Sequence, residues 1–265
     1  MTETGYASVG SQKVHYRRVG DSSELPWVFL HGIGEDSSSW TLQQEALAQY
    51  VPTYAIDVRG HGATELGDAA ENLDQLAEDL LGFLEVVGPS VCVGFSMGGT
   101  IVLSAAARQK TDLIRHAIGV CTSSMVGERA AAQFREIAAS IDRGGQVAAR
   151  SAVDRFLTES VPNPPSDWEA QKIARFAAVG DGRGYANAAR AMASLREMPL
   201  TPQLSAIVCP VDILVGENDR ACPLKAAEII AGAVSDSRLH SLPGVGHFVG
   251  VENPSLLTST LLQMQ

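Results

Sequence analysis

Apolar and polar positions alternate through KVHYRRVG (residues 13–20), the period of a half-buried strand. PWVFLHG (26–32) is a short apolar run that ends in a turn, as in a strand covered on both faces, and TYAIDVRGHG (53–62) repeats that pattern. Between them, SSSWTLQQEALAQYV has helical spacing at Trp40, Leu42, Ala46, Leu47 and Tyr50, with serines available as caps. NLDQLAEDLLGFLEVVG keeps Leu73, Leu76, Leu80, Leu81, Leu84 and Val87 on a 3.6-residue period, with Asn72 placed to start the helix and Gly88 to stop it. PSVCVGF then predicts a strand, GGTIVLSAAARQ a helix, and IRHAIGVC a strand.

The rhythm changes after residue 124. From about 127 to 198 no run reads as a strand. ERAAAQFREIAASIDRGG, GQVAARSAVDRFLTESV, PSDWEAQKIARFAAVG and GRGYANAARAMASLRE predict helices separated by Gly and Pro signals, VPNPPSD being the sharpest break. Alternation returns with VCPVDILVGEND (strand), CPLKAAEIIAGAV (helix), SRLHSLPG (strand) and PSLLTSTLLQM (helix). The pattern is that of a mostly parallel α/β sheet with helices on both faces, interrupted by one helical insertion. We therefore expect a core of residues 1–124 and 199–265 and a cap of 125–198.

Composition narrows the function classes. The 265-residue chain carries 30 acidic and 20 basic residues, a net charge of −10, and no Lys/Arg block, which disfavours nucleic acid as a partner. There is no apolar leader in MTETGYASVGSQKV and no run of about eighteen apolar residues, so the expectation is a cytoplasmic chain that does not span a membrane. Cys92, Cys121, Cys209 and Cys222 form no CxxC pair, and three lie in or beside strand-like runs, as buried small hydrophobes do. Neither a metal-ligand spacing nor a dinucleotide-binding glycine pattern occurs, so no cofactor and no metal is implied.

The chemistry concentrates in VGFSMGGTI (93–101). Gly94-Phe95-Ser96-Met97-Gly98 fits G-x-S-x-G, with a strand before it and a helix after it. That arrangement exposes a serine hydroxyl on a tight turn where flanking side chains would crowd the backbone. A hydroxyl needs a base. Of six histidines, His15, His116 and His240 lie in strands, His61 in the RGHG turn, and His31 at the end of a strand. His247, in the late loop PGVGHFVG, has the freedom the role requires. Its orienting carboxylate comes from GENDR, where Asp219 fits the loop tip better than its alternative, Glu217. The Met97 N–H, next to the nucleophile, and the Ile33 N–H, in HGIG, are the candidate oxyanion donors. Trp40, Phe95 and Phe134 are candidate pocket residues, and Arg135, Arg150, Arg175 and Arg190 are cations that could meet a carboxylate if one of them points inward.

FLHGIG, AIDVRGHG, VGFSMGG, ILVGENDRACP and GVGHF, in this order, resemble the α/β-hydrolases over nearly the whole chain. HGIGEDSSSW, DVRGHGATE, GFSMGGTI and the cap's GYANAARAMASL are most similar to the 3-oxoadipate enol-lactonase and carboxylesterase group, although HGIG and Phe134 depart from it. The resemblance implies an eight-stranded α/β-hydrolase sheet with a helical cap. It also implies a Ser96–His247–Asp219 triad, oxyanion donors at Ile33 and Met97, and a small-molecule ester or lactone as substrate. A C–C bond hydrolase, a cofactor-free perhydrolase and a non-catalytic ligand receptor are the alternatives on this scaffold, and association into a homo-oligomer stays open.

Overall fold

A computed structural model describes residues 2–161 and 164–265 of the protein. Its strands are β1 (Thr2–Val9), β2 (Gln12–Val19), β3 (Trp27–Leu30), β4 (Thr53–Ile56), β5 (Ser90–Phe95), β6 (Ile114–Val120), β7 (Val211–Gly216) and β8 (Ser237–Leu242). They form one sheet in the order β1-β2-β4-β3-β5-β6-β7-β8. β1 and β2 join as an antiparallel hairpin and β2 pairs antiparallel with β4; all later pairings are parallel. The helices are α1 (Thr41–Leu47), α2 (Leu73–Val87), α3 (Met97–Arg108), α4 (Glu128–Ser160), α5 (Trp168–Ala178), α6 (Arg183–Ser194), α7 (Leu224–Ala233), α8 (Val249–Glu252) and α9 (Pro254–Leu262).

Period-two alternation sorts the strand residues between two cores. Val28, Leu30, Cys92, Ala117, Ile213 and Val215 face one side, packed by α2, α3 and α7. Trp27, Phe29, Val91, Val93, Ile118 and Leu214 face the other, packed by α1, α8 and α9. The expected apolar stripe of α2 is the buried one, with Asn72 accepting from the Gln75 N–H and Gly88 closing the helix at φ 94°. Cys92, Cys121 and Cys209 are buried and unbridged.

Three differences from the sequence expectation have physical reasons. β1 has almost no apolar pattern because it is an edge strand, hydrogen-bonded only to β2 and largely exposed. The first two inserted helices run together as α4, bent where Gly145 takes φ 54°, ψ −139°. The short α8 is too brief to carry a period. The VPNPPSD break includes Pro162 and Asn163, which lie outside the described residues.

The inserted helices α4–α6 leave the sheet after β6 and return before β7. α6 meets the core where bare backbones cross: a Cβ on Gly184 would overlap the Gly60 carbonyl, and one on Gly60 would overlap Gly184. Gly60 also sits at φ 75°, open to glycine. Beside the crossing, the Gly62 N–H donates to the Ala178 carbonyl (2.9 Å) and the Glu71 N–H to Asn187 Oδ1 (3.0 Å). Among the described residues no helix is long and apolar enough to cross a membrane. Gly184→Ala should cost about 1–3 kcal/mol or more, the range for forcing atoms into a packed contact, and urea unfolding of the variant measures it.

Candidate active site

β5 is buried along its whole length and ends at the serine. Ser96 takes φ 51°, ψ −115°, a conformation that costs a non-glycine residue about 1–3 kcal/mol. Its flanks explain why it is reached. A Cβ on Gly94 would overlap the Gly98 carbonyl, and one on Gly98 would overlap the Leu30 carbonyl, so the turn and the neighbouring strand meet as backbone on backbone. The Ser96 N–H donates to the Val120 carbonyl (2.8 Å), and the Ser96 carbonyl accepts from Thr122 Oγ1 (2.7 Å) and the Thr100 N–H (3.2 Å).

The loops after β7 and β8 bring the other two side chains to it. Asp219 Oδ1 accepts the N–H groups of Ala221 and Cys222, each at 2.8 Å, which leaves Oδ2 to take His247 Nδ1 at 2.9 Å. His247 Nε2 lies 3.1 Å from Ser96 Oγ. The Asp219 and His247 side chains are 0% and 2% exposed, so this pair is shielded from water. Glu217 points elsewhere and accepts the Gly244 N–H (3.0 Å). Glu252 has no counterpart in the sequence expectation. It accepts the N–H groups of Gly246 (2.9 Å) and Phe248 (3.1 Å), clamping the backbone on both sides of His247. Nothing in the local pattern marks it, because its partners are main-chain groups.

Ile33 lies in the loop after β3, and Met97 is the first residue of α3. Neither backbone N–H has a protein hydrogen-bond partner among the described residues. His31 props the first loop: Nδ1 donates to the Gly32 carbonyl (2.7 Å) and Nε2 accepts the Val58 N–H (2.9 Å). Asp57 ties the same loop to the RGHG turn, accepting the N–H groups of Ser37 (2.7 Å) and Ala63 (2.8 Å). Burial alone would raise the Asp57 pKa, but these donors and the nearby His31 hold it below the usual carboxylate value. His61 is fully buried, 5.3 Å from the His31 ring. Burial first, and that neighbour second, push its pKa from 6.5 to about 3.

The surroundings are aromatic. Phe95, Phe156 and Phe248 stand within 6 Å of the His247 ring, Phe156 being delivered by α4. A cavity of about 290 Å³ opens beside them, lined by Trp40, Phe95, Phe248, Glu35 and Arg175 among others. Its wall reaches the triad through the chain neighbours Phe95 and Phe248, and Ser96 and His247 themselves do not line it. The structure thus brings Trp40 and Phe95 to the cavity. Phe134 departs from expectation: it packs into the seam between the two cores and is not part of that wall.

Of the four candidate arginines only Arg175 is buried, and its charge is met by Glu35 at 2.5 Å. Arg135 pairs with Glu197, and Arg190 with Glu71 and Asp142, at the surface. Cys121 Sγ, an Asp219 oxygen and a His247 nitrogen lie within 4.8 Å of one another, close enough to suggest a metal. The donors do not suit one: both His247 nitrogens are already hydrogen-bonded, and burial pushes the Cys121 thiol well up, keeping it protonated. His116 and His240 are far from this chemistry in role, each donating its Nε2–H to the buried Asp212 carboxylate (2.6 and 2.5 Å).

With this fold, and with a serine, an imidazole and a carboxylate in hydrogen-bond sequence, the chain belongs to the alpha/beta hydrolase family, whose model matches residues 27–259. A curated relative from Escherichia coli (strain K12) is 31% identical over 91% of this chain and 94% of its own. It is named 2-succinyl-6-hydroxy-2,4-cyclohexadiene-1-carboxylate synthase. The crystal structure of the enol-lactonase from Burkholderia xenovorans LB400 superposes with a TM-score of 0.82 at 24% identity, covering 98% of each chain. A thermophilic esterase from Thermogutta terrifontis superposes at 0.81 and 23% identity, covering 99% of this chain and 97% of that one. At these identities the two structures show the shared fold.

The depressed His61 pKa has a stability consequence. The unfolded chain protonates this histidine below pH 6.5, whereas the folded chain resists until about pH 3, so stability falls as pH drops through that window. For this one group the slope is at most about 1.4 kcal/mol per pH unit. Urea unfolding of His61→Asn between pH 6 and 4 should show a slope shallower by close to one proton than that of the parent chain.

Proposed function

We propose that the protein is a serine hydrolase that cleaves an ester or lactone bond of a small organic molecule through an acyl-enzyme. The observation that carries this reading is the continuous hydrogen-bond relay Ser96 Oγ–His247 Nε2 and His247 Nδ1–Asp219 Oδ2, at 3.1 and 2.9 Å. In the first half, His247 Nε2 takes the Ser96 proton as Oγ attacks the carbonyl carbon. The negative charge on the former carbonyl oxygen is met by the Ile33 and Met97 N–H groups, which have no competing protein partner among the described residues. Collapse expels the alkoxide, which leaves as the alcohol with the proton held by His247. In the second half, water gives a proton to His247 as its oxygen attacks the acyl carbon; on collapse the acid leaves and His247 returns that proton to Ser96 Oγ. Asp219 keeps the imidazole in the tautomer whose Nε2 is free to accept.

In this reading residues 125–198 act as a cap over the serine, with Phe156 as part of its inner wall. A neutral ester or lactone suits the surroundings, since the buried cation Arg175 is already neutralised by Glu35. No cofactor takes part in the steps.

A second reading rests on the 31% identity to the named synthase. In it, the same relay serves the formation of a cyclohexadienecarboxylate, with His247 moving a proton between Ser96 and the substrate. The test is a panel of nitrophenyl esters, lactones and vinylogous diketones, together with an assay for formation of a cyclohexadienecarboxylate. Ser96→Ala should lower ester turnover by about 10³-fold or more. Ester turnover left intact in Ser96→Ala overturns the proposal, and a wild-type chain inert to esters that forms a cyclohexadienecarboxylate favours the second reading.

A further inference from the structure

Among the described residues, one ion pair is buried on both sides and belongs to neither the relay nor the substrate chemistry proposed above. Glu35, in the loop after β3, is 4% exposed, and Arg175, on α5 of the insertion, is 6% exposed. The carboxylate is divided between two tasks. Oε1 accepts Arg175 Nη2 at 2.5 Å, and Oε2 accepts the backbone N–H of Gly32 at 3.1 Å. The Glu35 N–H returns to the Gly32 carbonyl (3.2 Å), so residues 32–35 form a closed turn with Ile33 at its tip.

Arg175 is itself held. Nη1 donates to the Gln171 carbonyl and side chain (3.2 and 3.0 Å), and its guanidinium lies 5.6 Å from the centre of the Phe248 ring, next to His247. Gly32 presses on the ring of Phe95, where a Cβ would come within 2.8 Å, so the turn has little room to rotate except away from the serine. One arginine from the insertion is therefore in mechanical contact with the turn bearing one oxyanion donor and with the neighbour of the base. The other buried acids do not have this reach: among the described residues Asp57, Asp212 and Asp219 bond only to groups outside the inserted helices.

We propose that Glu35 and Arg175 are positioning residues. The pair locks the inserted helices onto the loop after β3 and sets the direction of the Ile33 N–H. This rests on the reading of Ser96 as nucleophile and Ile33 as an oxyanion donor. A peptide plane held through its neighbour by a charge-assisted bond stays aimed at a developing oxyanion. Released, it relaxes toward water and contributes less to the transition state, while ground-state binding of a neutral substrate changes little.

The test uses Glu35→Gln, Arg175→Met, the double variant, and Arg175→Lys, which keeps the charge and loses the fork. Rates are expressed per active site titrated with a phosphonate, so that unfolded protein is not counted. Each single variant should lose about 30- to 100-fold in kcat with KM changed less than threefold, short of the 10²–10³-fold typical for deleting a donor outright. The double variant should be no worse than the poorer single one, because the two act through one contact. Arg175→Lys should fall between. The preference for an oxoester over its thionoester, whose sulfur is a weak acceptor, should narrow in step. Full kcat per titrated site with a lowered Tm, or an unchanged thionoester ratio, overturns the proposal and leaves the pair a structural tie. A wild-type chain that the phosphonate does not label at Ser96 instead refutes the underlying reading, and is told apart by occurring before any variant is made.

Discussion

The structure depends on how closely two stretches of bare backbone approach at the end of β5. Gly98 sits against the Leu30 and His31 carbonyls, and Gly94 against Gly98, with no room for a methyl group at either place. That contact forces the chain to turn between Phe95 and Met97 and leaves Ser96 in a backbone conformation it would not choose. The strain is held by the surrounding parallel strands, which are fully buried and cannot relax without opening the core. From the same contact follow the exposure of the Ser96 hydroxyl, the start of α3 at Met97, and the nearness of that N–H to the loop that bears Ile33.

Around this point the protein handles buried charge in one consistent way. Each interior carboxylate has both oxygens occupied, and at least one of its partners is a backbone N–H or an imidazole. Asp57 serves a loop and a turn, Asp212 bridges His116 and His240 across three strands, Asp219 is fixed by its own turn before it meets His247, and Glu35 joins a turn to an arginine. An isolated carboxylate in such surroundings would be costly. Shared between elements, it becomes a fixed point for loops that have no periodic packing of their own. Most of the net charge of −10 is therefore carried at the surface, and each interior acid is matched by local hydrogen-bond donors.

What could be read in advance follows from this division. The sheet, the helices on its faces and the insertion were legible because their apolar residues recur with fixed periods; Leu73, Leu76, Leu80 and Leu84 are the clearest case. Ser96, Asp219 and His247 were legible as positions because each follows a strand in a short, glycine-bearing loop, and the structure brings the three together. The pocket wall was less so. Phe134 and Phe156 are equally apolar on equally helical segments, and the sequence pattern does not distinguish the one that packs into the core seam from the one that reaches the histidine. Glu252, Glu35 and Asp57 were not legible as parts of the site, since each holds main-chain amides, which leave no trace in side-chain pattern, and the side-chain partners of Glu35 and Asp57 lie far away in sequence. β1 was hidden for the opposite reason: an edge strand needs only one hydrogen-bonded neighbour and little apolar content.

The bend in α4 has a wider meaning. The helix packs along α6, its second half carries Phe156 against the imidazole ring, and a single glycine torsion pair sets the angle between its halves. The placement of that ring beside the imidazole is consequently controlled from Gly145, a residue outside the relay. Re-aiming that half-helix would shift the aromatic contact on His247 while the hydrogen bonds of Ser96 and Asp219 stayed where they are.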